Sequence, residues 1–164
     1  MRLFAPVLAV GFAALVLSSP VAGQKSDDQI AQQSVALQHQ GEALLGAGKL
    51  EQAEDAFEAA LAVDPRNRWA FVDLARVADK QGLFGKAIRM SNKALLLEPN
   101  DPDAIAVQGE AMVELGALAR AQANLQKLQT ICTKGCPQLA QLSAAITRGP
   151  SVASAKAPAT PKSN

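Results

Sequence analysis

At 164 residues with 49% hydrophobic side chains, the chain is long enough for one domain with its own core, plus tails. A formal charge of +1 excludes a partner found by net charge, whether nucleic acid or an anionic membrane surface. Much of the apolar fraction is alanine and there is no tyrosine, a composition suited to closely packed helices rather than to a sheet or a lipid cavity.

The first segment, MRLFAPVLAVGFAALVLSSPVAG, places Arg2 before an apolar run from Leu3 to Leu17, followed by Pro20, Val21 and Gly23. A positive start, a short apolar stretch and small residues at its end make a secretory signal peptide over residues 1–23, with cleavage expected after Gly23. An uncleaved anchor is the alternative, but Pro6 and Gly11 interrupt the run and a spanning helix needs roughly 18 apolar residues. No cysteine stands at the junction to carry a lipid. Residues 24–33 read as a polar linker in which Asp27 or Asp28 is placed to cap the first helix.

From Ser34 onward three windows align at a period of 34 residues, about 34–67, 68–101 and 102–135. The first helix of each carries an apolar residue at Leu37, Phe71 and Ile105, a small one at Gly41, Ala75 and Gly109, then Leu44, Ala78 and Met112. Spacings of four and three put these on one face, and the small residue lets a neighbouring helix come close. A turn glycine follows at Gly48, Gly82 and Gly116, free to take the positive φ that ends a helix. The second helix repeats Ala53, Ala87 and Ala121, then Phe57, Ser91 and Leu125, then Ala60, Ala94 and Leu128. Pro65 and Pro99 close the first two windows, whereas Thr133 stands in the third. Beyond Leu128, Pro137 opens a further helix whose stripe is Leu139, Leu142 and Ile146; it is read as a cap over residues 137–147. Residues 148–164, rich in proline, alanine, serine and lysine, read as a disordered tail.

Small residues before a turn glycine, then alanine, aromatic, alanine and proline at this period resemble the tetratricopeptide repeat (TPR) family over about Ser34 to Thr133. The resemblance implies an all-α, right-handed α-solenoid of about three helix pairs with a capping helix, its first helices lining a concave face. Departures are Gln40 and Gln108 at usually apolar sites, Ala78 and Ser91 at usually large ones, and the missing third proline. They imply looser packing around the middle repeat. The family's ligand-contact positions, carried onto this chain, include Gln38 and Glu42, then Trp69, Val72, Arg76, Asp79 and Lys80, then Asp103, Glu110 and Glu114. Trp69 with Arg76 is the expected hot spot, because aromatic and arginine side chains carry much interface energy; packing of Trp69 against a neighbouring helix is the alternative. Members that hold the carboxylate tails of cytosolic chaperones use a lysine, asparagine and arginine clamp. At the matching sites stand Gln38, Glu42, Asp73, Asp103 and Val107, which would repel an acidic tail and favour a neutral or basic one.

Cys132 and Cys136 are the only cysteines. Their even number, their closeness across a glycine-bearing turn and the export signal point to a disulfide between the third repeat and the cap, with two free thiols as the alternative. So short a loop stabilises by only about 2 kcal/mol in the chain-entropy model. No metal is expected, since the one histidine, His39, lies two windows away and reads as a surface residue. Haem attachment lacks its histidine, and a redox-active pair usually has two intervening residues rather than three. The carboxylates Glu42, Asp73, Asp79, Asp103, Glu110 and Glu114 follow no fixed pairing, and no phosphate loop or nucleophile elbow occurs. The expectation is a non-enzymatic adaptor without cofactors in the periplasm or outside the cell, unattached to membrane after cleavage. It would bind a protein or peptide segment in its groove; a self-associating structural protein is the alternative.

Overall fold

The computed structural model describes residues 29–151, which form seven α-helices and no strand. In order these are α1 (Gln32–Gly46), α2 (Leu50–Val63), α3 (Arg68–Lys80), α4 (Phe84–Leu97), α5 (Pro102–Glu114), α6 (Leu118–Ile131) and α7 (Pro137–Arg148). The signal segment, Asp27 and Asp28, and the tail from residue 152 lie outside the described residues. The first helix starts at Gln32, inside the stretch read as linker.

Each pair is joined by the same turn. Gly48, Gly82 and Gly116 take φ of 74°, 73° and 73°, which lets the chain reverse without a Cβ clash. The next residue then donates back to a carbonyl of the helix just ended: Lys49 to Leu44 at 3.0 Å, Leu83 to Ala78 at 2.8 Å and Ala117 to Met112 at 2.8 Å. Second helices end on extended residues, Asp64 at φ −145° and Glu98 at φ −137°, each followed by proline. The third instead ends at Cys132, and Cys136 is the N-cap residue of α7. The two sulfur atoms lie 2.18 Å apart, joining the end of α6 to the start of α7.

Side chains cap the first helices α3 and α5, whereas α1 and the second helices have no side-chain cap. Asn67 accepts from the Ala70 N–H at 3.3 Å, and Asp101, one period later, from the Ala104 N–H at 3.0 Å. Asn67 also donates to Ser34 Oγ at 2.9 Å, and Ser34 donates to the Ala60 carbonyl at 2.7 Å, so a buried polar seam joins α1, α2 and the start of α3. Asp64 accepts from the Ala31 N–H at 3.0 Å, taking up a donor at the start of α1. The Arg66 guanidinium and that N–H hold the Asp64 carboxyl well below the usual carboxylate range.

Packing follows the small positions. Ala53, Ala60, Ala87, Ala94 and Ala121 are all fully buried. A Cβ on Gly41 would stand 2.5 Å from Phe57 Cε1, and one on Gly109 would stand 2.6 Å from Leu142 Cδ1. Each glycine is therefore the floor under a fully buried large side chain. The last pair is closed by α7, which packs on α5 and α6 through Leu139, Leu142 and Ile146 against Ile105 and Leu128.

The expected slack in the middle pair takes a narrower form. Ala78 is fully buried beside Ala87 and Ala111, with Phe84 and Ile88 packed over them. Gln108 is buried but bonded, donating to Asn92 Oδ1 at 2.6 Å and accepting from Asn124 Nδ2 at 2.9 Å. Ser91 is the irregular position, fully buried with no hydrogen-bond partner for its Oγ among the described residues.

Replacing Ser91 with alanine should raise the unfolding free energy by about 1 kcal/mol, because an unmatched hydroxyl leaves the core. Gly41→Ala should lower it by about 1–3 kcal/mol through overpacking, less about 1 kcal/mol regained in helix propensity. Gly46→Ala, with nothing within 4 Å of the new Cβ, should stabilise instead. Urea midpoints of the three variants check these signs; an unchanged midpoint in Gly41→Ala would show that Phe57 can swing aside.

Candidate functional site

The face shared by α1, α3, α5 and α7 is tied together by side chains rather than by backbone. Gln38 Nε2 on α1 donates to Asp73 Oδ2 on α3 at 2.8 Å, and Arg76 Nη1 donates to Asp73 Oδ1 at 2.8 Å. The other terminal nitrogen of Arg76 pairs with Asp103 Oδ1 on α5, which also accepts from Gln138 Nε2 on α7 at 3.2 Å. The result is one polar ladder across four helices. Burial pushes the Asp73 carboxyl up, and nearby Glu42 adds to this, while the Gln38 amide and the Arg76 charge pull it back.

Further along the same face lies a second group. Asp79, Glu110 and Glu114 approach one another at the ends of α3 and α5, with Lys80 and Arg148 as the neighbouring cations. Burial raises the Asp79 carboxyl and Glu114 raises it further; Lys80 and Arg148 act against this. Burial likewise raises Glu110, and Asp79 adds to that, against a hydrogen bond with Gln141 and the charges of Arg148 and Arg76. Asp79 Oδ1 is buried with no hydrogen-bond partner among the described residues. Glu114 Oε2 accepts from the Ser151 N–H at 2.8 Å.

The expected lining residues therefore separate into groups. Gln38, Arg76 and Asp103 belong to the ladder; Asp79, Glu110 and Glu114 form the acidic group beside exposed Lys80. Glu42 is exposed and paired with His39, whose Nδ1 lies 2.9 Å from Glu42 Oε2. Trp69 stands at the start of α3 with 45% of its surface exposed. The Arg68 guanidinium lies 4.3 Å from its ring centroid and is itself paired with Asp101, the residue that caps α5. Trp69 is thus braced by a fixed cation and not packed into the core, and Arg76 is not beside it as a free hot-spot partner but engaged by two carboxylates.

Val72 departs from the expectation. It is 2% exposed and packs against Ala94 and Ala104, because this side of α3 meets the next pair instead of solvent. The ladder's far end, Gln138, and the cations Arg68 and Arg148 are additions that the repeat pattern does not mark. One signal was present: Gln38 to Asp73 and Asp103 to Gln138 share an offset of 35 residues. Among the described residues, no group of three or more His, Cys, Asp or Glu side chains is placed to hold a metal ion, and no helix is long and apolar enough to cross a membrane.

Residues 44–109 match the family model described as the tetratricopeptide repeat. The chain is 31% identical over 83 residues to the cellulose synthase operon protein C of Pseudomonas fluorescens (strain SBW25), a stretch covering 51% of this chain and 6% of that much longer protein. Among solved structures, the TPR2B domain of yeast Sti1 in its complex with pHsp70 has a TM-score of 0.66 at 19% identity, covering 72% of this chain and 98% of that one. The second TPR domain of human RPAP3, in complex with the HSP70 peptide SGPTIEEVD, has a TM-score of 0.64 at 22% identity over 71% of this chain and 96% of its own. The Yersinia enterocolitica type III secretion translocator chaperone SycD has a TM-score of 0.63 at 20% identity over 72% of this chain and 89% of its own. Residues 44–109 thus match the tetratricopeptide repeat model, and the helices of this chain have the fold of a TPR domain.

Proposed function

We propose that the protein is a non-enzymatic interaction scaffold that holds a neutral or basic peptide segment of a partner protein against the α1, α3 and α5 face. The carrying observation is a half-exposed tryptophan on a face where carboxylates outnumber cations. Glu42, Asp73, Asp79, Asp103, Glu110 and Glu114 stand there against Arg68, Arg76, Lys80 and Arg148. The peptide in the RPAP3 complex ends in EEVD. A face of the present charge repels such an end and attracts lysine and arginine, so the fold's way of binding is kept and its ligand charge reversed. Because Val72 is core and the ladder already engages Gln38 and Arg76, the contact surface consists of Trp69, Glu42, Lys80 and the acidic group. Much of the affinity then rests on Trp69.

The proposed setting is the bacterial cell envelope, reached by export and cleavage after Gly23. The sequence of residues 1–23, a cysteine pair at bonding distance and a bacterial relative support this setting.

Trp69 is the only tryptophan, so its fluorescence reports on the face directly. An extended lysine- and arginine-rich peptide should shift that emission at neutral pH and bind less well on acidification. A carboxyl whose proton is held more tightly loses its charge at a higher pH, so the weakening should begin above about pH 4, the ordinary carboxylate value, as Asp79 and Glu110 become neutral. Affinity that stays level or rises between neutral and acid pH would contradict the role given to these groups. In the native cell, a photoreactive residue replacing Trp69 should give a discrete heavier product, and one replacing exposed Gln126 on α6 should not. No product at Trp69, or equal products at both, would remove the reading. Intact mass of the purified protein should correspond to a chain beginning at Gln24; a mass that includes Met1 would remove the cleavage.

A further inference from the structure

The second helices divide their charge unevenly. Helix α2, LEQAEDAFEAALAV, carries Glu51, Glu54, Asp55 and Glu58 and no cation, whereas α4, FGKAIRMSNKALLL, carries Lys86, Arg89 and Lys93 and no carboxylate. Glu51, Asp55 and Glu58 are exposed at spacings of four and three and form one stripe; Arg89, Lys93 and Leu96 form another on α4. Like charges one turn apart repel along a helix, so each stripe lowers the stability of its own helix. None of Glu51, Asp55, Glu58 or Arg89 has an ion-pair partner among the described residues. Leu96, between the cations and the end of α4, is 83% exposed.

The two stripes lie side by side. Lys86 Nζ on α4 pairs with Glu54 Oε1 on α2, which links the two helices by a side-chain bridge, and Gln81 Nε2, in the turn after α3, donates to Glu54 Oε2 at 3.1 Å. Adjacent stripes of opposite sign make a self-complementary surface. A two-fold axis running between α2 and α4, parallel to both, lays α2 of each copy over α4 of the other at the same height. The repeat register then decides what meets, since Asp55 is equivalent to Arg89 and Ala62 to Leu96, 34 residues on. In such a pair Asp55 would face Arg89 of the second copy, Glu58 would come within reach of Lys93, and Leu96 would cover the small, exposed Ala62.

We propose that the chain pairs with a second copy of itself through this outer α2 and α4 face, as a two-fold dimer. The contact leaves the inner face free and does not depend on the peptide-binding reading. Sedimentation equilibrium of the purified chain should show a dimer at about 10 mM salt that dissociates toward about 1 M, as the screening length falls from about 30 Å to about 3 Å. Arg89→Glu should weaken association about tenfold, Asp55→Arg likewise, and the two together should restore it, with unchanged helicity by circular dichroism. A monomer at low salt overturns the proposal, as does association indifferent to Arg89→Glu or not restored in the doubly reversed variant. A wild-type monomer retained on a heparin column, and released by Arg89→Glu, would give the α4 stripe to an anionic partner instead and equally overturn the dimer.

Discussion

Everything in this molecule depends on how closely its helices approach, and that is set where a side chain is missing. Gly41 and Gly109 leave the volume that Phe57 and Leu142 occupy, and fully buried alanines do the same between them. A methyl group at either glycine would meet an aromatic or leucine carbon well inside contact distance. Where α7 lies this close to α5, Gln138 can reach Asp103, and in the same stack Gln38 reaches Asp73 on the next first helix. The polar ladder is a consequence of the packing.

That ladder changes the chemistry available to a ligand. A carboxylate as buried as Asp73 is costly unless it is bonded, and Gln38 and Arg76 supply the bonds. Arg76 is thereby occupied, with a carboxylate on either side, and contributes alignment between pairs in place of a free charge. In the acidic group at Asp79, Glu110 and Glu114, the Asp79 and Glu110 carboxyls are raised, first by burial and then by a neighbouring carboxylate. At the other end of α3, Trp69 is half exposed, with Arg68, held by Asp101, over one side of its ring. An unevenly neutralised face with a braced aromatic at one end suits a cationic segment.

The cap shows how one element serves stability and face together. Leu142 fills the space above Gly109, while Gln138 and Gln141 on the same helix bond to Asp103 and Glu110. Helix α7 thus occupies part of what the third pair would otherwise present. The cysteine pair at its start ties it to α6 across a turn containing Gly135, so its first residues cannot move far from the stack.

The sequence by itself determined the helices, their pairing and their turns, because these follow from local causes. Glycine at positive φ, proline after the second helix and small residues at spacings of three and four act within one or two turns of chain, and the period repeats them. It also marked Trp69 and the acidic residues as lying on one side. The tertiary structure decided which of those residues remain open. Val72 faces Ala104 of the following pair, and Arg76 is claimed by carboxylates on two helices. Such outcomes depend on distances between segments about a period apart in the chain, to which a repeat pattern is blind. The same holds for Gln108, which reads as a polar residue in an apolar position until Asn92 and Asn124 arrive from α4 and α6 to bond it. A side chain's position on its own helix is a local property, whereas its partners are fixed only when the helices meet.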